Sequence, residues 1–263
     1  MTKITKFSDL NNLYEGETIF IIGNGVQLNE ISEDVKQRLQ NQYTIGVNAT
    51  TTFIPKTTAF ITGQISCLLM NKNFGKTAIT KIHQNGPSDY HDGNTFMIGD
   101  QNVLTKTHLH AFMKPVRDDS SLIGAGSVMF SSTHLALILG ASRICYVGFD
   151  WKVNKHYYDE EPYRSELLTQ LDFLLDKYKD WPFAIGSIND FLNINIYPRQ
   201  IPGAWFPPDS TYPGLETQAP EQKSILTTLF SMLNDYQVEP ISTYQNSIIT
   251  DIGAKYIPLE ELV

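Results

Sequence analysis

Cysteine is nearly missing from this chain. Its 263 residues include two, Cys67 and Cys145, each inside an apolar run ("ISCLLM", "RICYVGF"), where a cysteine acts as a small buried hydrophobe. A disulfide scaffold and a cysteine zinc site are thereby excluded. Positive charge is also short: 20 Lys and Arg stand against 28 Asp and Glu, a net charge of -8. Such a balance lacks the broad positive field of a dedicated duplex-binding protein and argues against a nucleic-acid acceptor or partner. No apolar run approaches about 18 residues, and "MTKITKFSDLNNLYEG" has no apolar h-region, so neither a transmembrane helix nor a signal peptide is expected. The expected location is the cytoplasm. Three motifs are absent as well. There is no G-x-G-x-x-G fingerprint, since residue 28 is Leu, and no Walker A loop. Asp118 and Asp119 are adjacent rather than spaced as D-x-D, so no metal-dependent sugar-nucleotide site is indicated. His108 and His110 share a strand face but lack a third ligand. No metal site is expected.

What remains is an ordinary globular composition, with 41% hydrophobic and 11% aromatic residues. The order of elements carries more. "ETIFIIGNG" is a short β-branched run ending in glycine, and the following segment has helical spacing at Leu28, Ile31, Val35 and Leu39. "YTIGVNATT" and "TTAFITG" read as further strands, and "QISCLLMNKN" can open another helix. Further on, "SSLIGAGSVMFSSTHLALILGASRICYVGFDW" reads as a Gly-rich turn, a helix ending at Gly140 and a strand closing on "GFDW". Strands alternating with helices imply an α/β fold, a Rossmann-like mostly parallel sheet flanked by helices. Leu167, Leu171, Leu174 and Leu175 mark an amphipathic helix. The Pro- and aromatic-rich "IYPRQIPGAWFPPDSTYPG" suits an irregular lid or a contact between copies in a homo-oligomer. The expected organisation is therefore a core over 1–177 and 217–263, interrupted by a lid or oligomer-contact insertion over 178–216.

Candidate ligand residues fall where strands end. Gly23, Asn24 and Gly25 follow the first strand, at the edge where open α/β sheets bind ligands. Two readings stand: a tight turn with positive φ, or an edge where backbone amides and the Asn24 carboxamide meet a phosphate or nucleotide. "GAGS" also opens a helix, and Gly126 and Ser127 offer a second anion-binding edge or an ordinary cap. Asn48, Thr62 with Gln64, and Asp150 end the next strands. They are mostly neutral hydrogen-bonding groups, suited to a base and a sugar. Beyond Asp150, "NKHYYDEEPYR" with the preceding Lys152 supplies Lys152, His156 and Tyr158. Lysine and tyrosine can stabilise a departing phosphate without metal, and histidine can serve as acid or base near neutral pH; a solvated loop is the plain alternative.

"IIGNGVQL", the "VN" after the second strand, "AGSVMFSSTHLALILGASRICYVGFDW" and the late "STYQNSIITDI" together resemble the bacterial sialyltransferases of glycosyltransferase family 42. They are also similar to the related superfamily of motility accessory factors and archaeal pterin pyrophosphokinases. The resemblance runs in order along the chain, leaving residues 65–120 and 178–216 unmatched. It implies a Rossmann-like fold holding a nucleotide-sugar donor as substrate, with no separate cofactor and metal-independent glycosyl transfer in the sialyltransferase branch. By position, Asn24 and Asn48 resemble nucleotide contacts, Gly126 and Ser127 the turn beside a cytidine monophosphate donor, and Asp150 the acid after the sixth strand. Tyr158 matches a tyrosine supporting the departing phosphate. Its companion is replaced here by Lys152.

One departure bears on mechanism. The family's catalytic histidine precedes the helix matching "SELLTQLDFLL", where this chain has "EEPYR". His156, Glu160 or Glu161 is left as the base, or the chemistry differs. The expected function is sialyltransferase-like transfer of a sugar to a glycan or other hydroxyl acceptor. Two alternatives are a pyrophosphokinase-like enzyme using ATP and magnesium on a small heterocyclic alcohol, and a nucleotide-binding assembly factor without catalysis.

Overall fold

The structure is a computed structural model that describes residues 4, 7–83, 95–97, 122, 128–149, 156–196 and 220–263. Its centre is an eight-stranded sheet: β1 (Thr18–Ile22), β2 (Tyr43–Val47), β3 (Lys56–Thr62), β4 (Lys76–His83), β5 (Thr95–Met97), β6 (Arg143–Val147), β7 (Glu239–Ser242) and β8 (Lys255–Tyr256). The order across the sheet is β5-β4-β3-β2-β1-β6-β7-β8, and every neighbouring pair is parallel. The α/β parallel architecture expected from the alternating pattern is what forms. From β1 the chain builds outward to β5 on one side, then crosses back to place β6 against β1 on the other. The direction of winding reverses between those two strands, which is where a doubly wound sheet opens a crevice beyond its strand ends.

Past their first residue β1, β2 and β6 are buried at every position, because both sheet faces are covered. Alternation sends Ile19 and Ile21 of β1 to one face, with Ile45, Val47, Ile61, Ile144 and Tyr146 beside them. The helices α3 (Val128–Ile138) and α6 (Pro220–Asp235) close that side through Met129, Phe130, Leu135, Leu229, Phe230 and Leu233. Phe20 and Ile22 point to the opposite face, under α1 (Glu33–Leu39), α2 (Ile65–Phe74), α4 (Tyr163–Lys177) and α5 (Pro182–Phe191). Tyr146 stacks on Phe230 at 5.6 Å and edges Phe149 at 5.9 Å. Full burial of one such side chain contributes about 1.5–3 kcal/mol, so the two faces hold the sheet far more firmly than any surface ion pair.

Three local outcomes add detail to the pattern. The helical spacing from Leu28 to Leu39 is split into a 3-10 turn, Val26–Glu30, and α1, with Ser32 capping α1 by accepting from the Val35 N–H. The serine competes with the helix for backbone hydrogen bonds and so starts a new one. The early part of the expected lid is regular: α5 continues into a π-helical turn, Leu192–Ile196, and Ala184, Ile188 and Phe191 are buried against the core. Pro182 begins α5 rather than breaking it, because proline at the first helical position gives up no hydrogen bond. The remainder, 197–216, lies outside the described residues. Finally, "TAITKIHQ" and "NTFMIGDQ" contribute β4 and β5, extending the sheet to one edge.

Among the described residues no helix is long and apolar enough to cross a membrane. Cys67 and Cys145 are free and fully buried, and burial pushes both thiols up to about 12. At pH 8 about one thiol in ten thousand is then ionised, so neither is expected to react with an aromatic disulfide reagent in the native protein. Both should titrate once denaturant unfolds the chain, measured as thiol released before and after unfolding; fast native reaction at either site contradicts the packing.

Candidate functional site

The turn after β1 is built by continued strand pairing. The Gly23 N–H donates to the Val147 carbonyl at 2.7 Å and the Gly25 N–H to the Gly148 carbonyl at 2.9 Å. These two amides are thus engaged by the end of β6 rather than presented to an anion, a correction to the phosphate-cradle reading of the turn. The positive-φ reading of the turn is corrected too. Gly25 is extended, at φ -65°, and the left-handed glycine is Gly148, at φ +74°. What the turn requires is close approach. A Cβ on Gly23 would sit inside 3.0 Å of the Gly148 oxygen, and one on Gly25 would sit 2.8 Å from the same atom. Real Cβ atoms essentially never come that near.

The chain returns to this turn from the other direction. His156 forms an antiparallel bridge with Gly25, and the Tyr157 N–H donates to the Asn24 carbonyl at 3.0 Å. The His156 ring lies parallel on Tyr158, with centroids 4.7 Å apart and planes 8° from parallel. Tyr158 is buried in the core beneath it and packs edge-on to Tyr157. Tyr157 is anchored in turn: its hydroxyl donates to the Ala49 carbonyl at 2.6 Å and contacts the Thr52 hydroxyl. Burial raises its pKa well above the ordinary phenol value, so it stays protonated.

His156 is a titratable group bridged directly to the turn. Desolvation lowers its pKa from the ordinary 6.5, and the Asp159 carboxylate, 4.0 Å from Nδ1, pulls the other way. Asp159 also accepts from the His156 backbone N–H at 2.8 Å, which fixes the segment. The side chain keeps 38% of its surface exposed, so a ligand can reach the ring. The two glutamates that the sequence left as alternative bases each accept a hydrogen bond. Glu160 accepts from Asn29 Nδ2 at 3.1 Å, and Glu161 accepts from the Ser165 N–H at 3.2 Å near the start of α4.

Neighbouring strand ends supply the rest. Asn48 stands directly after β2 in the left-handed region, φ +51°, which asparagine tolerates better than most residues. Thr62 Oγ1, at the end of β3, donates to Asn48 Oδ1 at 3.0 Å and accepts from the Gln64 N–H at 3.0 Å. Gln64 Oε1 accepts from the Cys67 thiol at 3.2 Å. Asn24 Nδ2 reaches the Val47 carbonyl at 3.5 Å, and its Oδ1 is buried with no partner among the described residues. Of the residues singled out from the sequence, Gly23, Asn24, Gly25, Asn48, Thr62, Gln64, His156 and Tyr158 are thus placed on one sheet edge. Gly126, Ser127, Asp150 and Lys152 lie outside the described residues. Among the described residues no group of three or more His, Cys, Asp or Glu could hold a metal ion. Gln27 and Asn29, on the 3-10 turn after Gly25, were missed. The density of carboxamides in "NGVQLN" was the available signal.

No protein-family model matches the chain, and no curated protein matches it. Solved structures do. The chain is similar to the sialyltransferase CST-II in complex with a trisaccharide acceptor and CMP, at 11% identity over 92% of this chain and 87% of that one, with a TM-score of 0.44. It is similar to CstII from Campylobacter jejuni in complex with cytidine-5'-monophosphate, at 11% identity over 93% and 86%, with a TM-score of 0.45. A third likeness, to the MAf glycosyltransferase from Magnetospirillum magneticum AMB-1, has 16% identity, covers 57% of this chain and 27% of that one, and has a TM-score of 0.39.

Asn48 combines a backbone role with a side-chain role, and two substitutions separate them. Asn48→Ala places a Cβ-bearing residue with no local hydrogen bond in the left-handed region and is expected to lower stability by about 1–2 kcal/mol. Asn48→Gly should cost less, because glycine accepts that backbone. Both remove the carboxamide from the edge. Thermal melts of the two variants check the ranking, and equal melting temperatures contradict it.

Proposed function

We propose that this chain is a glycosyltransferase that binds a nucleotide-activated sugar across the C-terminal edge of β1, β2 and β3 and transfers the sugar to a hydroxyl acceptor without metal, in the manner of the sialyltransferases its motifs resemble. The observation that carries this reading is the docking of His156 on Gly25. It puts a titratable ring beside the asparagine turn, on an edge whose other described strand-end groups are neutral carboxamides and hydroxyls. Such an edge suits a nucleoside, which is recognised by paired donors and acceptors.

The chemistry asked of these residues is limited. The bond between the sugar's anomeric carbon and the donor phosphate oxygen breaks, and the nucleotide leaves with the bonding pair. The acceptor oxygen bonds to the same carbon and gives up its proton. His156 is the group we assign to take that proton, since its lowered pKa keeps the imidazole neutral and able to accept at pH 7. Tyr158 holds the ring in orientation by stacking. The resemblance assigns Tyr158 to the departing phosphate, and we assign Lys152, which stands in place of the family's second tyrosine, to neutralise its charge. The acceptor class we propose is a glycan, and the location we propose is the cytoplasm.

Thermal stabilisation by nucleotides tests the binding step. CMP, CDP, UDP, GDP and ATP are each added with magnesium and with chelator. A ligand at 100 times its dissociation constant adds about 2.7 kcal/mol, a readable shift. The expected result is stabilisation by a pyrimidine nucleotide in chelator. A shift with ATP and magnesium alone supports a pyrophosphokinase instead, and no shift with any of them removes the nucleotide site.

The base assignment makes a pH prediction. With a folded pKa below 6.5, His156 stays competent at pH 7, and kcat/KM is expected to fall on the acid side of that value as the ring gains its proton. His156→Gln should abolish that limb and lower kcat by about 10²–10⁴-fold while leaving nucleotide affinity nearly unchanged. An unaltered acid limb in the variant would assign the proton to another group.

A further inference from the structure

On the turn that carries Asn24, one side chain stands out for what it does not do. Gln27 is 7% exposed, and neither its Oε1 nor its Nε2 has a hydrogen-bond partner among the described residues. It is not isolated in this. Asn24 Oδ1 and Asn29 Oδ1, within the same stretch Asn24–Asn29, are buried without a partner, as are the Thr50 and Thr51 hydroxyls just beyond β2. A buried donor or acceptor left unmatched costs about 1–3 kcal/mol, and folded proteins rarely keep several together. Packing offers no compensation that a methionine of similar length would not also provide.

The Gln27 carboxamide is folded back over Gly25: a Cβ on Gly25 would meet the Gln27 Oε1 and Cδ atoms. The glycine therefore serves the glutamine as well as the strand pairing, leaving the room in which the carboxamide lies beside the bridge to His156. A carboxamide presents one acceptor and two donors side by side. Its natural complement is a neutral group that shows a donor next to an acceptor. The amide-like edge of a nucleobase has that pattern, and so does the vicinal diol of a ribose.

We propose that Gln27 is a specificity-determining residue of this edge, and that its carboxamide reads such a neutral donor–acceptor group of the bound nucleotide, not its phosphate. The assignment rests on the nucleotide-binding reading given above. Two consequences distinguish it from a structural role. Removing the amide should make the free protein more stable while making it a poorer binder, and the loss of affinity should vanish for a ligand that lacks the group read.

Gln27→Met and Gln27→Glu in the full chain test this by melting curves without ligand and by calorimetry with CMP, UMP, 2'-deoxy-CMP, ribose 5-phosphate and inorganic phosphate. Gln27→Met is expected to raise the ligand-free Tm by about 2–4 °C, to weaken the best nucleoside monophosphate at least tenfold, and to leave inorganic phosphate unchanged. Ribose 5-phosphate binding that is also unchanged assigns the contact to the base; a loss for ribose 5-phosphate that is absent for 2'-deoxy-CMP assigns it to the diol. Gln27→Glu, which keeps the shape but replaces the amide donors with a negative charge, should shift the preference among bases or diols rather than raise Tm. A lowered Tm in Gln27→Met, or nucleotide affinity that ignores both variants, overturns the assignment while the nucleotide site stands. Wild-type protein that binds none of these nucleotides overturns the functional reading along with it.

Discussion

The site depends on a pairing between two strand ends that carry no side chains. Beyond β1 and β6 the ladder continues through Gly23 and Gly25 to the carbonyls of Val147 and Gly148. Any Cβ there would collide with the Gly148 oxygen. Gly148 in turn lies in the left-handed region, where a Cβ would meet the Leu28 side chain. Because the two ends stay joined, the segment that follows β6 is delivered back to the same turn. The Tyr157 N–H then closes on the Asn24 carbonyl. A glycine, in this frame, positions a histidine.

That arrangement gives the edge a firm floor and a polar rim. Beneath it Tyr157 and Tyr158 are core residues, and the aromatic cluster with Phe53, Tyr163 and Phe191 ties the returning segment to α4 and α5. Above it lie groups whose hydrogen-bonding capacity is partly unused, Asn24, Gln27 and Asn29. Unmatched polar atoms gather at the place where strands of a doubly wound sheet diverge. This division between a rigid base and an underused polar surface is what the proposed nucleotide site would require.

Much of this was legible in residue order. The alternation of apolar runs with amphipathic stretches announced a parallel sheet, and the glycine and asparagine punctuation marked the edge at which its strands end. Asn24, Asn48, Thr62 and Gln64 were found because each ends a strand, a property that sequence displays directly. Gln27 was not found, because it follows a turn and reads as one more polar residue on a helical pattern. Its importance comes from burial without a partner, which depends on what every other element leaves around it. The role of the Gly-Asn-Gly amides was misread for a related reason: whether an N–H faces a ligand or a neighbouring strand is settled by the strand beside it, and β6 lies some 120 residues further along.

The sequence by itself determined the periodicities, and through them the α/β class, the two buried thiols and the neutral character of the sheet edge, since these follow from local propensity and from which side chains must leave water. The tertiary structure alone decided which strand lies beside β1, that His156 comes to rest on Gly25, and that Glu160 accepts from Asn29. Those outcomes are contacts between residues distant in the chain. Their energies arise only when closure of the whole sheet has brought the partners together.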